Sequence, residues 1–267
     1  MTSSPSSTSS RREFLFLQGP PGPFFRLLAH ELKSRGHGIH RLNLSGGDHF
    51  DWRVGAVNYR RTMSAWPMFF DRFTRRHKIT DLVLYGDCRP VHQAALRMAK
   101  LRGIRLFVFE EGYIRPDWMT LERDGVNGHS AFDRDPELIL ASSRWLPEIP
   151  DLPPITADFG RRARDSYWHY HHVVTGRLAF PFYSTHRDHS IIGEGIGWLL
   201  KLGRKRRRER QAQQILAAIE DRKFILFPLQ LTGDYQIRAH SPFGSMPQAV
   251  DYVLESFAEY APADQLL

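Results

Sequence analysis

The chain has 267 residues, 42% hydrophobic and 25% charged, with a formal net charge of +8 and one cysteine. This composition excludes a disordered, collagenous or disulfide-stapled chain, and the length leaves room for one to two domains at ~150 residues each. Cys88 alone can form neither an internal disulfide nor a multi-thiolate zinc site, and it suits a reducing compartment.

Residues 1–12 (MTSSPSSTSSRR) form a Ser/Thr/Pro tract with almost nothing to bury and read as a disordered tail. Ser10-Arg11-Arg12-Glu13-Phe14-Leu15 imitates a twin-arginine export signal. Its apolar run ends at Leu17, however, and Gln18-Gly19-Pro20-Pro21-Gly22-Pro23 follows, with no small-residue cleavage site. No stretch reaches the ~18 apolar residues of a membrane span.

Phe14–Leu17 reads as a short strand. Pro23–Arg35 follows as a helix with Phe24, Leu27, Leu28 and Leu32 on one face, and Gly38–Leu44 as a second strand before a Ser45-Gly46-Gly47-Asp48 turn. Asp81–Tyr85 is a buried-type strand and Arg89–Arg102 a helix with Val91, Ala94, Ala95, Met98 and Leu101 inward. Ile104–Phe109 is another buried strand. Strands alternating with helices across short loops predict an α/β fold with a parallel sheet covered on both faces. Residues 146–165 carry four prolines and read as a connection. A basic helix spans 203–210 and continues through Ile219. Lys223–Leu231 then reads as a strand, Thr232–Gly244 as a polar loop and Pro247–Tyr260 as a helix opened by a Ser245/Gln248 capping box. The chain stops at Gln265-Leu266-Leu267, where a next strand would begin. A sheet of one or two strands does not stand alone, so the second domain reads as incomplete.

Ligands of parallel sheets bind at the carboxyl ends of the strands, which directs attention to four loops. Glu110-Glu111-Gly112-Tyr113 directly follows the strand Ile104–Phe109. Two adjacent acids there cannot both enter one core, so at least one faces the cleft as a candidate general base, or else caps a helix or pairs with Arg115. Gln18, Gly19 and Gly22 lie in a G-x-x-G loop that lacks the dinucleotide fingerprint and reads either as a ligand contact or as a rigid turn. Asp87, Arg89 and His92 flank a helix start, where an anion can be held with the helix dipole; the alternative is an Asp87–Arg89 cap. Cys88, beside Arg89, has no family signature of a catalytic thiol around it. In the second unit, Gln230, Tyr235, Arg238, His240 and Ser241 would form a phosphate or nucleotide cradle, or a plain polar loop. His169, His171, His172, His186 and His189 fit no metal template and read as packing histidines. The basic run at 203–210 suits a membrane surface, a nucleic acid or a solvated face, and RNP-like aromatic motifs are missing.

Five strings agree in order and spacing with one family: FLFLQGPPGPFFRLL (14–28), NLSGGD (43–48), DLVLYGDCRPVHQAA (81–95), FEEGYIRPDWMTLERDGVNG (109–128) and FPLQLTGDYQIRAHSPF (227–243). The set resembles the capsule polysaccharide biosynthesis/export proteins of the KpsS/LipB type, from about residue 13 to the C-terminus. The resemblance implies a GT-B-like fold of two Rossmann-type domains with parallel sheets. The domains would be an N-terminal acceptor-side domain at 13–145, a connection with the basic helix at 146–220, and the start of a nucleotide-binding domain at 221–267. It also implies a cytoplasmic glycosyltransferase, peripheral to the inner membrane, that adds β-linked Kdo (3-deoxy-D-manno-octulosonic acid) from CMP-Kdo to a phosphatidylglycerol-type lipid. No cofactor, metal or nucleic acid is implied. A second capsule Kdo transferase and the export machinery are implied partners. The acid pair Glu110 and Glu111 also resembles the motif of bacterial CMP-sugar transferases. Their His-Pro pair, which contacts the CMP phosphate, is missing here, and the family pattern places it beyond the last residue. Net retention would call for a carboxylate nucleophile, with Asp117, Glu122 and Asp133 nearby. The alternative is a non-catalytic capsule assembly and export factor.

Overall fold

A computed structural model describes residues 10–112, 118–148, 159–185, 190–219, 222–231 and 233–267. It comprises two compact units, Met1–Ser184 and Thr185–Leu267. In the first unit β1 (Glu13–Phe16), α1 (Phe24–Ser34), β2 (Gly38–Asn43), α2 (Gly46–Asp51), β3 (Ala56–Asn58), α3 (Trp66–Arg76), β4 (Asp81–Tyr85), α4 (Pro90–Leu101), β5 (Arg105–Glu111) and β6 (Met119–Arg123) follow in order. They are succeeded by α5 (Pro136–Ser143) and α6 (Phe159–Thr175). The sheet runs β3-β2-β1-β4-β5-β6. Its first five strands are parallel, and β6 returns antiparallel to β5. This is the Rossmann-like α/β architecture that the strand–helix alternation predicts.

The strand period of two sorts the side chains into two layers. Leu15, Leu17, Leu82, Leu84, Leu106 and Val108 pack beneath Trp66 and Phe70 of α3 and Val91, Ala95 and Ala99 of α4. Phe14, Phe16, Val83 and Phe109 pack beneath Phe25 and Ala29 of α1, with Trp52. The predicted helix faces were therefore slightly rotated. Leu27 is 59% exposed and Phe25 takes its place in the core, because the buried arc of α1 is centred between Phe25 and Leu28. Leu101, on the far side of the last turn of α4, is likewise exposed, while His92 and Ala99 turn inward.

Two local expectations are corrected. Ser45-Gly46-Gly47-Asp48 does not merely turn the chain: Ser45 caps α2 in a reciprocal box with Asp48. The Ser245/Gln248 box, by contrast, does not form, since Gln248 Oε1 instead accepts the Gly244 N–H at 2.9 Å. The amino edge of the sheet is tied by Arg12, the second arginine of the export-like string. Its guanidinium pairs with Asp81 of β4, which also receives Arg105 of β5 at 2.8 Å.

The second unit holds α7 (Ile191–Gly203), α8 (Lys205–Ala218), α9 (Tyr235–Arg238) and α10 (Met246–Tyr260). The strand expected at 223–231 is reduced to one parallel bridge, Phe224 to Leu266. A strand needs neighbours to extend its ladder, and among the described residues this segment bridges only to Leu266.

Candidate active site

The chain order of the sheet reverses between β1 and β4, and in such sheets ligands bind in the crevice at that reversal. The carboxyl ends of β1, β4 and β5 bring Gln18, Gly19, Gly22, Asp87, Arg89, His92, Glu110 and Glu111 to one edge. Tyr113, Arg115 and Asp117 lie outside the described residues.

The acid pair closes β5 and is laddered to β6, Glu110 opposite Thr120 and Glu111 opposite Met119. Adjacent strand residues leave the backbone in opposite directions, and the two carboxylates separate. Glu110 turns toward Gly86, Arg89 and Tyr85. Gly86 has φ +70°, and a Cβ there would stand 3.3 Å from a Glu110 carboxylate oxygen and 3.8 Å from Arg89 Nε. The Tyr85 phenol donates to Glu110, and the Glu111 N–H donates to its Oε1 at 3.0 Å. The Arg89 guanidinium sits 5.4 Å from the centre of the Tyr85 ring. Burial raises the Glu110 pKa, and the Glu111 N–H, Arg89 and Tyr85 only partly offset it. A carboxyl held above its ordinary range is the direction a general base needs. Glu111 instead pairs with Arg162 of α6.

Asp87 is 4% exposed and its oxygens are occupied. Oδ2 accepts from Val126 N–H at 3.1 Å and lies 3.0 Å from His129 Nδ1, and Oδ1 accepts from the Cys88 thiol at 3.3 Å. Asp87 thus fastens the end of β4 to the loop after β6, and the Asp87–Arg89 cap does not form. His92 is buried in the first turn of α4, its Nδ1 2.6 Å from the Gly86 carbonyl. Burial, then Asp87, pushes the Cys88 thiol up to about 12, so it stays protonated near neutrality and is a poor nucleophile.

Gln18 opens into a buried network that sequence reasoning missed. Its Nε2 donates to Asp48 Oδ2 at 3.0 Å and to the Tyr183 hydroxyl at 3.2 Å. Asp48 also accepts from the Leu44 and Ser45 N–H groups and pairs with Arg41 at 3.2 Å. Burial opposes ionising Asp48, but Arg41, His169 and these hydrogen bonds outweigh it and hold the carboxyl below its usual range. Gly19 lies against Phe25, where a Cβ would meet the ring at 2.7 Å. Gly22, at φ +98°, lies against Asp165.

One face of α6 crosses this edge. Arg162 meets Glu111, Asp165 meets Gly22, and His169 Nδ1 lies 2.6 Å from Asp51 Oδ2. Burial raises the Asp51 pKa against the pull of His169. A Cβ on Gly46 would stand 2.1 Å from the His172 carbonyl oxygen, and one on Gly47 2.7 Å from the His169 ring. The contact positions recur every three or four residues, a helical stripe that the aromatic and histidine content of this stretch obscured. Of the histidine group, His172 stacks on Phe50 with ring centres 4.1 Å apart, and His186 and His189 lie outside the described residues. Glu122 receives the Ser130 hydroxyl, and Asp133 receives the Asp135 N–H at 3.0 Å.

A separate groove of about 1020 Å³ runs beside α1 at the amino end of β2, lined by Arg26, His30, Lys33, Trp52, Arg53 and Val54. It lies away from the acid pair, and we place the candidate chemistry at the carboxyl edge, where strand ends and charged groups converge.

In the second unit, Asp234 caps α9 through the Gln236 N–H at 2.9 Å, and Arg238 stands 5.5 Å from the centre of the Tyr235 ring. Ser241 donates to the Ile237 carbonyl at 2.7 Å and accepts the Phe243 N–H at 3.2 Å. Gln230 is exposed ahead of this loop, and His240 lies just past Ala239, the C-cap of α9.

A family model described as "Capsule polysaccharide biosynthesis protein" matches residues 80–267. The "Capsule polysaccharide export protein KpsS" of Escherichia coli is 34% identical over 267 residues, covering 97% of this chain and 67% of that protein. The "Capsule polysaccharide modification protein LipB" of Neisseria meningitidis serogroup A is 32% identical over 263 residues, covering 96% and 63%, and its serogroup B counterpart gives the same figures. The chain spans about two thirds of the length of these relatives.

Proposed function

The chain belongs to the capsule polysaccharide biosynthesis protein family, and from that premise we propose that it is a glycosyltransferase which adds β-Kdo from CMP-Kdo to a phosphatidylglycerol-type lipid. The product would start the linker of a capsular polysaccharide. The observation that carries this reading is Glu110: a half-buried carboxylate with a raised pKa, at a strand's carboxyl end, next to Arg89 at the start of α4. In the proposed step Glu110 takes the proton of the acceptor hydroxyl as its oxygen bonds to the anomeric carbon. Arg89 and the first amides of α4 offer positive potential to an anionic reactant. The leaving CMP would be met by Tyr235, Arg238, His240 and Ser241, with Gln230 alongside. Gln18, Gly19, Gly22, Asp87 and His92 would shape the acceptor side. The protein would work in the cytoplasm at the inner membrane, alongside a second capsule Kdo transferase and the export machinery, and without cofactor, metal or nucleic acid.

The test is transfer by the purified full-length gene product, supplied with CMP-Kdo and a phosphatidylglycerol acceptor. CMP release with labelled lipid product is the expected result; neither appearing would overturn the enzymatic reading. A second reading, a non-catalytic assembly and export factor, draws on the pairing of Glu111 with Arg162, which gives half of the acid motif a structural task. Stabilisation against heat by CMP but not by AMP separates the two, since only the transferase reading requires a cytidylate site.

A further inference from the structure

We propose that α7, with the basic start of α8, is an in-plane anchor that seats the second unit on an anionic lipid bilayer.

The sequence of α7, IIGEGIGWLLKLG, carries one acid, Glu194, and one base, Lys201. It has no buried residue. Ile192, Ile196, Trp198, Leu199, Leu200 and Leu202 are between 49% and 70% exposed and share one broad apolar face, with Gly193, Glu194, Gly197 and Lys201 on the opposite side. A helix of this kind is normally covered, and an uncovered one marks an interaction site. It is also weak on its own. Four of its thirteen residues are glycine, and isolated helices of this length are marginal in water, so it gains from a medium that accepts apolar groups.

Length decides how a bilayer would take it. Thirteen residues rise ~20 Å against a hydrocarbon core of ~30 Å, and no helix among the described residues is long and apolar enough to cross. The geometry that remains is a helix lying in the interface.

Charge decides which surface. Lys201, Arg204, Lys205, Arg206, Arg207, Arg208 and Arg210 follow the apolar run with Glu209 as the single acid among them, and all are exposed. Lys205 and Glu209 make a loose pair at 3.8 Å. Anionic headgroups lying over hydrocarbon match this sequence of layers, apolar residues next to a cationic cluster. Further protein covering the apolar residues would leave the cationic cluster to water, whereas an anionic bilayer engages both. Trp198 sits at the join, its ring 4.7 Å from the Lys201 ammonium. Tryptophan and lysine are the residues that anchor at the headgroup level. The inference deepens the proposal of a membrane-borne acceptor, but it concerns attachment, and its primary readout is vesicle binding.

The test uses the whole chain and co-sedimentation with vesicles of phosphatidylcholine, with and without about one third phosphatidylglycerol. Binding to the anionic vesicles is expected to exceed binding to neutral ones about tenfold and to weaken with salt. Leu199→Glu and Trp198→Ala should each cut it about tenfold. The Arg206→Ala/Arg207→Ala double variant, altered only at exposed helical positions, should erase the preference for anionic lipid. Brominated lipids should quench the wild type more than Trp198→Phe. Equal binding to both vesicles, or wild-type binding by Leu199→Glu and Trp198→Ala, would overturn the proposal. So would absence of vesicle binding, with self-association that Leu199→Glu abolishes assigning the face to a second copy, and no self-association assigning it to packing within the protein. Transfer to a detergent-dispersed acceptor should survive Leu199→Glu, which keeps failure of the anchor distinct from failure of the transferase reading.

Discussion

Glu110 and Glu111 are neighbours with different surroundings, and the difference is chemical. Glu110 is half-buried with its pKa raised, whereas Glu111 is committed to Arg162, itself 50% exposed. Glu110→Gln keeps the shape and one accepting oxygen but removes the base, so turnover should fall by about 10²–10⁴-fold while CMP still raises the melting temperature. Glu111→Gln removes a largely solvated ion pair and should cost only about 0–1 kcal/mol of stability. The sign of the pH effect follows from the raised pKa. Glu110 serves as base only when ionised, so kcat/KM should fall as pH drops through a value above the ~4.3 of an ordinary glutamate. An acid limb at or below that value would remove Glu110 from the role. Near it, Cys88 should resist alkylation at pH 8, because its thiol sits near 12; rapid modification by iodoacetamide in the folded protein would contradict the burial described. The divergence of the two acids was legible in the sequence, since strand geometry forces it. Which acid is which was not, because Arg162 stands 51 residues away and no local signal links it to Glu111.

At the level of elements, the contact between α2 and α6 organises the carboxyl edge. Gly46 is required there by close approach, not by backbone angle, because an added Cβ would stand 2.1 Å from the backbone oxygen of His172. A backbone atom cannot swing aside as a side chain can. Gly46→Ala should therefore destabilise by about 3 kcal/mol and shift α6 away from α2. Gly195→Ala in α7 is the control: nothing lies within 4 Å of its Cβ position, and alanine should be neutral or stabilise by up to ~1 kcal/mol. Thermal melts of the two variants check the contrast, and equal melting temperatures would show that the approach is not close. In the Rossmann-like half α2, β3 and α3 went unread, whereas β1, α1, β2, β4, α4 and β5 could be read ahead of the structure because each carried its own period: leucine and phenylalanine alternating in β1, an apolar arc on α1 and on α4. β6 and α6 could not. The first is a short strand whose burial is only partial, and the second carries histidines and tyrosines on both its packed and its open sides, which blurs the helical stripe. The expected strand at 223–231 had the right composition, but composition supplies no partner strand.

Across the first unit as a whole, the two edges of the sheet have separate tasks. The carboxyl edge gathers groups whose charges are poised or unfavourably buried, Glu110 and Asp51 among them. The amino edge holds the reverse case. Asp81 is fully buried in β4 and receives Arg12, which precedes β1, and Arg105 of β5, so one carboxylate joins the three central strands. Burial opposes its charge, but the hydrogen bonds from Arg12, Thr80 and Arg105 outweigh the penalty and lower its pKa. The linkage has a definite sign. A carboxyl with a lowered folded-state pKa contributes stability that is fully present above its unfolded value, near 3.9, and is lost as pH falls through the folded value. Asp48 acts in the same direction. Acid unfolding of this unit should therefore set in below about pH 4 and be driven by these two groups. Asp81→Asn leaves two partly solvated arginines facing a neutral amide, which should cost about 1.5–3 kcal/mol at pH 7. The same substitution should flatten the fall of melting temperature between about pH 4 and pH 2, because one of the two titrating anchors is gone. If the variant instead melts like the wild type at pH 7, or loses stability with acid just as steeply, the clamp across β1, β4 and β5 does not hold the sheet together.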